Sequence, residues 1–272
     1  MRIRNLILAV VVAVLHCSCA SYFDKVMKSN DVDLKYEAAK TYFSKGKYKK
    51  AADVFDNLNL LVQGLPQEDT VNYYHGLSNF RYGDYDAAET ILAKFIEVYP
   101  RSVFAEEAKF MRIQCLYNAT YRYELDQTPT RKAMMIISEF MYENPSSQYY
   151  TVCQDMMADL MERLERKSYE SAKLYYTMED YKAARYALKN VLKDNSDNQY
   201  REDVLYYVAM SAYKYAYNSI EEKQKERYLD FIDDYYNFVS EYPESKYRRE
   251  LDNLFSKVEH YAVKTDKTEE LQ

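Results

Sequence analysis

The sequence GKYKKAA, residues 46–52, recurs twice more in the chain, as GDYDAAE at 83–89 and as EDYKAAR at 179–185. The three copies share the form G/E-x-Y-x-x-A. Each copy lies between two stretches in which apolar residues return every three or four positions. That spacing is typical of amphipathic helices, and glycine between them marks a turn. A fixed motif between two helices indicates an array of helix–turn–helix units.

The spacing of small residues around each motif matches the tetratricopeptide frame. Two antiparallel helices approach closely only where one of them carries glycine or alanine, and a large apolar residue then fills the groove. Each copy has a small residue before the motif, an alanine inside it and a large apolar residue four positions later. These residues are Ala39, Ala51 and Phe55, then Gly76, Ala88 and Leu92, then Ala172, Ala184 and Leu188.

A second repeated segment closes the units, as FIEVYPRSVF at 95–104, FMYENPSSQY at 140–149 and FVSEYPESKY at 238–247. The proline ends the second helix of a pair, and the serine that follows can cap the next helix. The two motifs together predict five helical pairs and a closing helix. Their ranges are about 32–64, 69–100, 102–145, 147–196, 199–243 and 243–263.

The composition agrees with a chain built from helices. The 272 residues include four glycines and five prolines, and 48% are hydrophobic, which excludes disorder as the main state. Beyond the N-terminal segment the cysteines are Cys115 and Cys153. They either form one disulfide or remain as two buried thiols, and the sequence leaves both alternatives open. The predicted fold class is all-α, a tetratricopeptide-repeat superhelix of about five helical pairs plus a closing C-terminal helix.

The N-terminal segment has the pattern of a lipoprotein signal. Residues 1–15 combine two arginines with an unbroken apolar run at 6–15, which is too short to remain as a membrane-spanning helix. A lipoprotein signal has a small residue before the cysteine that is acylated. The pair Ser18-Cys19 therefore predicts acylation of Cys19, with palmitate among the acyl chains, rather than of Cys17. A plain export signal is the alternative.

Cleavage after residue 18 would leave an acidic, membrane-anchored chain. It removes two arginines and no acidic residue, so the formal net charge changes from −6 to −8. We expect no nucleic-acid partner for such a chain, and several acyl chains bind a bilayer durably. The predicted parts are a signal peptide, an anchor and tether, N-terminal repeats, C-terminal repeats with the closing helix, and a polar tail. They occupy residues 1–18, 19–31, 32–145, 146–263 and 264–272.

The sequence contains no signature of a catalytic or metal site. Four glycines do not supply a phosphate-binding loop, and G-x-S-x-G, H-E-x-x-H and paired C-x-x-C motifs are absent. Beyond residue 18 the histidines are His75 and His260, and we interpret His75 as packed or groove-lining. The acidic pairs at 106–107, 221–222 and 233–234 are interpreted as solvated helix faces. We therefore predict no enzymatic activity, no catalytic residues, no cofactor and no metal.

The chain contains 32 tyrosines, most of which we expect in the core. On the repeat frame, the inner face of the first two units is more apolar than a solvated groove. The candidate peptide-binding residues there are Tyr36, Lys40, Phe43, Tyr73, Leu77 and Phe80. Two basic spots, Lys47, Lys49 and Lys50 in one and Arg248 and Arg249 in the other, could meet a partner or anionic headgroups, or could be ordinary exposed helix.

These features together resemble the BamD family of outer-membrane assembly lipoproteins over essentially the whole mature chain. The resemblance rests on the cysteine near residue 19, the five tetratricopeptide units, the Tyr-Pro-x-Ser-x-aromatic joints at 99–104 and 242–247, and the chain length. The opening helix, KSNDVDLKYEAAKTYF at 28–43, is also similar to that family. The resemblance implies a non-catalytic, periplasm-facing component of the machinery that folds and inserts β-barrel proteins into the outer membrane.

The resemblance also implies partners. The N-terminal repeats of that family receive unfolded β-barrel proteins through a terminal β-signal, which corresponds here to the inner face between Tyr36 and Phe80. The C-terminal repeats hold the central, BamA-like barrel subunit, which corresponds here to 201–215 and 247–249. The implied docking residues are Arg201, Tyr247, Arg248 and Arg249, and accessory lipoproteins are further candidate partners. The alternative function is a repeat lipoprotein that coordinates other envelope or peptidoglycan-associated proteins.

Overall fold

The computed structural model describes residues 22–261, and this part of the chain consists of helices joined by turns and loops, without strands. The predicted signal peptide, Cys19 and the polar tail from 264 to 272 lie outside the described residues. The helices are α1 (22–28), α2 (Val32–Ser44), α3 (Tyr48–Asn59), α4 (Glu68–Tyr82), α5 (Tyr85–Val98), α6 (Ala105–Asn118), α7 (Thr128–Glu143), α8 (Tyr150–Thr177), α9 (Tyr181–Asp194), α10 (Arg201–Tyr217), α11 (Glu221–Glu241) and α12 (Arg248–Val258). The predicted all-α class is confirmed, with five tetratricopeptide-type pairs from α2–α3 to α10–α11 and the closing helix α12.

The described chain divides into two compact units, and the division falls within α8. The first unit comprises residues 22–121 and 126–157, and the second comprises 122–125 and 158–261. In the first unit, Phe55 of α3 and Leu92 of α5 are fully buried in successive layers of core between the helical pairs. In the second, Leu188 of α9, Phe231 of α11 and other apolar side chains form the corresponding layers.

Each copy of the G/E-x-Y-x-x-A motif ends one helix and begins the next. Gly46, Gly83 and Glu179 have φ values of 68°, 90° and 63°, in the left-handed region that ends many helices and that glycine adopts without steric cost. Glu179 therefore occupies a conformation that disfavours side chains, which explains why glycine stands there in the other two copies. The tyrosine of each motif then packs on an aromatic ring at the end of the preceding helix. The ring centroids are 5.3 Å apart for Phe43 and Tyr48, 5.8 Å for Phe80 and Tyr85, and 5.4 Å for Tyr176 and Tyr181.

The small residues lie where the helices of a pair approach, as predicted. Ala39, Ala51 and Ala88 have no exposed surface, and Gly76 is also buried. At Gly76 the approach is so close that a Cβ atom added there would lie 2.7 Å from Cδ2 and 3.0 Å from Cγ of Leu92. Because Leu92 is fully buried in a close-packed core, moving its side chain away from such a Cβ would disturb the side chains around it.

The proline joints end helices as predicted, but the role of their serines differs from the prediction. α5, α7 and α11 each end two residues before their proline. The hydroxyls of Ser102, Ser147 and Ser245 accept hydrogen bonds from the backbone N–H two residues later, at 3.3, 3.1 and 3.0 Å. The next helix begins three residues after each serine, so the expectation that serine caps it is wrong. A short side chain reaches the nearer amide first and closes the turn before the helix.

The aromatic residue that ends each joint lies flat against a ring of the first helix in the preceding pair. The centroids are 4.2 Å apart for Phe104 and Tyr73, 4.1 Å for Tyr149 and Phe110, and 3.9 Å for Tyr247 and Tyr206. A fourth joint, which has no proline, repeats the arrangement with Tyr200 and Tyr169 at 5.0 Å. Such stacked pairs add to the stability that burial alone provides. Each of these contacts holds the end of a joint against the helical pair that precedes it.

We expect Gly76→Ala to lower the free energy of unfolding by about 1–3 kcal/mol, because the new methyl group overlaps Leu92. In a Leu92→Ala background the same change should instead raise it by up to ~1 kcal/mol, since the overlap is gone and alanine favours a helix over glycine. Urea unfolding of the wild type, both single variants and the double variant measures this coupling. An effect of the same sign in both backgrounds would contradict close packing at this position.

Candidate protein-binding surfaces

The six predicted peptide-binding residues lie on α2 and α4, but the structure does not expose them equally. Lys40 is exposed, and its ammonium lies 5.2 Å from the ring centroid of the half-buried Tyr36. Tyr73 and Leu77 are only 3% and 8% exposed and pack inside the first unit. These two residues therefore offer almost no surface to a partner in this conformation.

Phe43 and Phe80 are partly buried because each packs on the tyrosine of a repeat motif. Phe43 also lies edge-on to Tyr74, with centroids 5.5 Å apart, and this contact joins α2 to α4. Tyr74 in turn contacts the rings of Phe55, Tyr73 and Phe104. The repeat frame did not point to Tyr74, and the only sequence signal was its place beside Tyr73. Of the six predicted peptide-binding residues, four keep exposed side-chain area, and we call these four the N-terminal surface. They are Tyr36, Lys40, Phe43 and Phe80.

Three of the four predicted docking residues form contacts within the second unit. Arg201 places its guanidinium on the carboxylate of Glu241, with Nη2 to Oε2 at 2.8 Å, and Nη1 donates to the backbone oxygen of Ser196 at 2.9 Å. This pairing lowers the pKa of Glu241. Tyr247 stacks on Tyr206 and donates its hydroxyl hydrogen bond to a carboxylate oxygen of Asp203.

Arg248 and Arg249 are adjacent at the start of α12 but differ in their surroundings. The Nε of Arg248 donates to Asp252 at 2.7 Å, one helical turn later. Arg249 is exposed, and none of the described residues forms an ion pair with it. A helix directs consecutive side chains about 100° apart, so one arginine lies along α12 while the other points outward. Arg249 is the predicted docking residue whose charge is available to a partner.

His75 is packed between α3 and α4 and is 9% exposed. Its Nδ1 accepts a hydrogen bond from Nδ2 of Asn59 at 3.0 Å, and its Nε2 lies 3.9 Å from a carboxylate oxygen of Asp56. Burial lowers the pKa of His75 from its usual value of 6.5, although Asp56 and Asp53 act in the opposite direction. The residue is a neutral part of the interface between these two helices.

The acidic pairs are exposed with one exception. Glu106, Glu107, Glu221, Glu222 and Asp233 all have exposed side chains, as predicted. The prediction is wrong for Asp234, which is 6% exposed. Arg185 and Lys189 of α9 reach it at 2.6 and 2.7 Å, so the buried carboxylate is neutralised by two cations from the neighbouring helix.

Both cysteines in the part of the chain from 22 to 261 are enclosed by the fold. Cys115 and Cys153 are both buried free thiols. Burial raises the pKa of Cys115 to about 12 and that of Cys153 to about 11, which disfavours the reactive thiolate. Among the described residues, no group of histidine, cysteine and carboxylate side chains is arranged to hold a metal ion. In the same range no helix has the length and apolar character needed to cross a bilayer.

Comparison with known proteins identifies a protein family that this chain matches. A model of the YfiO family, described as an outer membrane lipoprotein, matches residues 28–226. The match covers more than half of the chain and runs from the start of the first repeat into α11. No curated protein matches the chain.

Acidification should weaken the fold through His75. Its folded-state pKa lies below the 6.5 of the unfolded chain, so below pH 6.5 the unfolded state takes up a proton first and the free energy of unfolding falls. We expect His75→Gln to remove this contribution, which urea unfolding from about pH 7 to about pH 5 would measure. His260→Gln, which changes an exposed histidine, serves as the control. Parallel curves for the wild type and His75→Gln would contradict a neutral, buried His75.

Proposed function

Because the chain belongs to the YfiO family of outer membrane lipoproteins, we propose that it is a non-catalytic scaffold of the machinery that folds and inserts β-barrel proteins into the outer membrane. The observation that carries this proposal is a family match that extends across four of the five helical pairs and into the fifth. The resemblance to the BamD family supplies the specific role. In this proposal Cys19 is acylated and the repeats face the periplasm.

The N-terminal surface is the proposed site for unfolded barrel proteins. Tyr36, Phe43 and Phe80 present aromatic area, and Lys40 adds a positive charge at the edge. Aromatic rings bind apolar side chains of an extended peptide at small cost in side-chain entropy, while a cation can meet a terminal carboxylate. A terminal β-signal, which carries apolar side chains and ends in a carboxylate, has this chemistry.

The surface formed by the joint at 242–247 and the start of α12, which we call the C-terminal surface, is the proposed site for the barrel subunit. Its joint at 242–247 is held by Arg201 and Tyr247 through their contacts with Glu241 and Tyr206. These contacts give α12 a defined position, from which Arg249 projects without an ion-pair partner among the described residues. We infer that Arg249 contacts the barrel subunit, whereas Arg201, Tyr247 and Arg248 act by holding the surface that carries it.

Affinity purification of the detergent-solubilised, acylated protein tests the proposed partner. We expect a large outer-membrane barrel protein with periplasmic repeat domains to co-purify, identified by mass spectrometry. Arg249→Glu should reduce its recovery about tenfold, because an exposed charge at a contact surface is reversed. Arg101→Glu, which reverses an exposed arginine of the first unit, should leave recovery unchanged.

The same purification separates the proposal from its alternative. If only peptidoglycan-associated or other envelope proteins co-purify, the chain coordinates those proteins and the assembly role is wrong. If the barrel protein is recovered equally with Arg249→Glu and with the wild type, the partner is right and the proposed docking residue is wrong.

Binding of a peptide tests the N-terminal surface separately. A fluorescent peptide with the sequence of the last strand of an outer-membrane barrel protein should bind with an affinity that Tyr36→Ala reduces about tenfold, because an aromatic contact is lost. Fluorescence anisotropy measures the affinity. Tyr186→Ala provides a matched control, since Tyr186 is 72% exposed on α9 of the second unit. Equal loss in the two variants, or none in either, would exclude Tyr36 from the peptide site.

A further inference from the structure

The start of the described chain, from α1 to the beginning of α3, carries net charge of the opposite sign to the residues that follow it. Residues 22–50 contain eight lysines and four acidic residues, whereas residues 51–272 contain 27 basic and 39 acidic residues. Between Ala38 and Ala52 there is no acidic residue at all, although five lysines fall in this stretch. A positive segment of this kind next to a lipid anchor is the usual composition of a contact with an anionic membrane surface.

Three of these lysines, Lys45, Lys47 and Lys50, lie in and beside the turn between α2 and α3, and we refer to them as the turn lysines. Lys45 and Lys47 are exposed, and Gly46 between them has a φ of 68°. None of the three forms an ion pair within the described residues. Neighbouring Lys49, by contrast, pairs with Asp53 at 3.1 Å.

Helix α1 brings the N-terminal end of the described chain to the turn lysines. The ring of Phe23 lies 5.8 Å from the ring of Tyr42, at the end of α2, and 5.1 Å from the ammonium of Lys50, at the start of α3. The first residues of α1 therefore lie at the same end of the first repeat as the turn. The proposed acylation site, Cys19, precedes Tyr22 by three residues, which span at most about 10 Å.

The other end of α1 is held by a buried lysine. Lys35 of α2 has no exposed surface, and its ammonium donates hydrogen bonds to the backbone oxygens of Val26 and Met27 at 2.8 and 3.0 Å. Its third hydrogen bond goes to Oδ1 of Asn57 on α3. Cations near the carboxyl end of a helix stabilise it. Contacts at both ends thus fix α1 against the first repeat and fix where the chain leaves toward the anchor.

We propose that the turn lysines contact the headgroups of anionic phospholipids, so that this end of the first repeat lies on the membrane surface. The proposed acylation of Cys19 places the bilayer within about 10 Å of Tyr22 along the chain, comparable to the distance over which surface charge acts at physiological salt. The turn lysines are not neutralised by the described protein and lie at that end. The acidic remainder of the chain is repelled by the same surface, which favours one orientation of the first repeat. This inference rests on the acylation in the proposed function but not on the barrel partner.

Vesicle binding of the mature chain with Cys19→Ser, which cannot be acylated, isolates this contact from the anchor. We expect this chain to co-sediment with vesicles of equal parts phosphatidylcholine and phosphatidylglycerol, and high salt should release it. It should not bind vesicles that contain only phosphatidylcholine. Changing the three turn lysines to Gln should reduce the partition coefficient about fivefold for each lysine, or roughly a hundredfold in total.

The control changes Lys182, Lys193 and Lys225 to Gln, which alters the net charge equally at exposed sites of the second unit. Binding should be retained in this variant. Equal loss in the two triple variants, or equal binding of the Cys19→Ser chain to both kinds of vesicle, would overturn the proposal. If the turn triple variant unfolds, Lys47→Gln alone, in the exposed turn, provides the same comparison with Lys182→Gln. The affinity purification of the barrel protein is carried out in detergent, without a bilayer. A failure to recover the barrel protein would therefore leave the vesicle-binding result unaffected.

Discussion

The close approach of two antiparallel helices at a residue without a large side chain is the constraint on which the other features of this fold depend. At Gly76 the approach leaves no room for a methyl group next to the buried Leu92. The same crossing is made with alanine at positions 39 and 172, so neighbouring pairs are built to one pattern although their helices differ in length. Once each pair has this geometry, the turn motif and the joint fall at equivalent places and can repeat the same contacts.

Those repeated contacts explain why several residues that resemble binding residues have structural roles. Tyr247 at the last joint stacks as Phe104, Tyr149 and Tyr200 do at the earlier ones. An aromatic residue at such a position would be expected from packing alone, whether or not a partner binds nearby. The surface left for partners is correspondingly small in each repeat. In the proposed function, specificity therefore depends on a few outward residues, namely Tyr36 and Arg249.

The two parts of the chain differ in how they accommodate charged side chains. The second unit neutralises its buried carboxylate, Asp234, with Arg185 and Lys189 from the adjacent helix. The first repeat instead buries a lysine without a carboxylate, and the ammonium of Lys35 is satisfied by three oxygens, two of them from α1. Its other lysines mostly remain in solvent. The first repeat is therefore both the part nearest the proposed anchor and the part with positive charge available to an anionic surface.

The sequence by itself determined the helical class, the five pairs, the residues at the close crossings and the places where helices end. These follow from local rules, because the helical period, the left-handed conformation of Gly83 and the effect of Pro100 act within a few residues. Only the tertiary structure decided that Tyr73 is covered by Phe104, that Asp234 is buried and that Ser102 closes a turn rather than capping a helix. It also decided that Tyr74 links α2 to α4 and that α1 returns to the turn between α2 and α3. Burial and pairing depend on which distant side chains arrive from other helices, and periodicity along one helix contains no information about them.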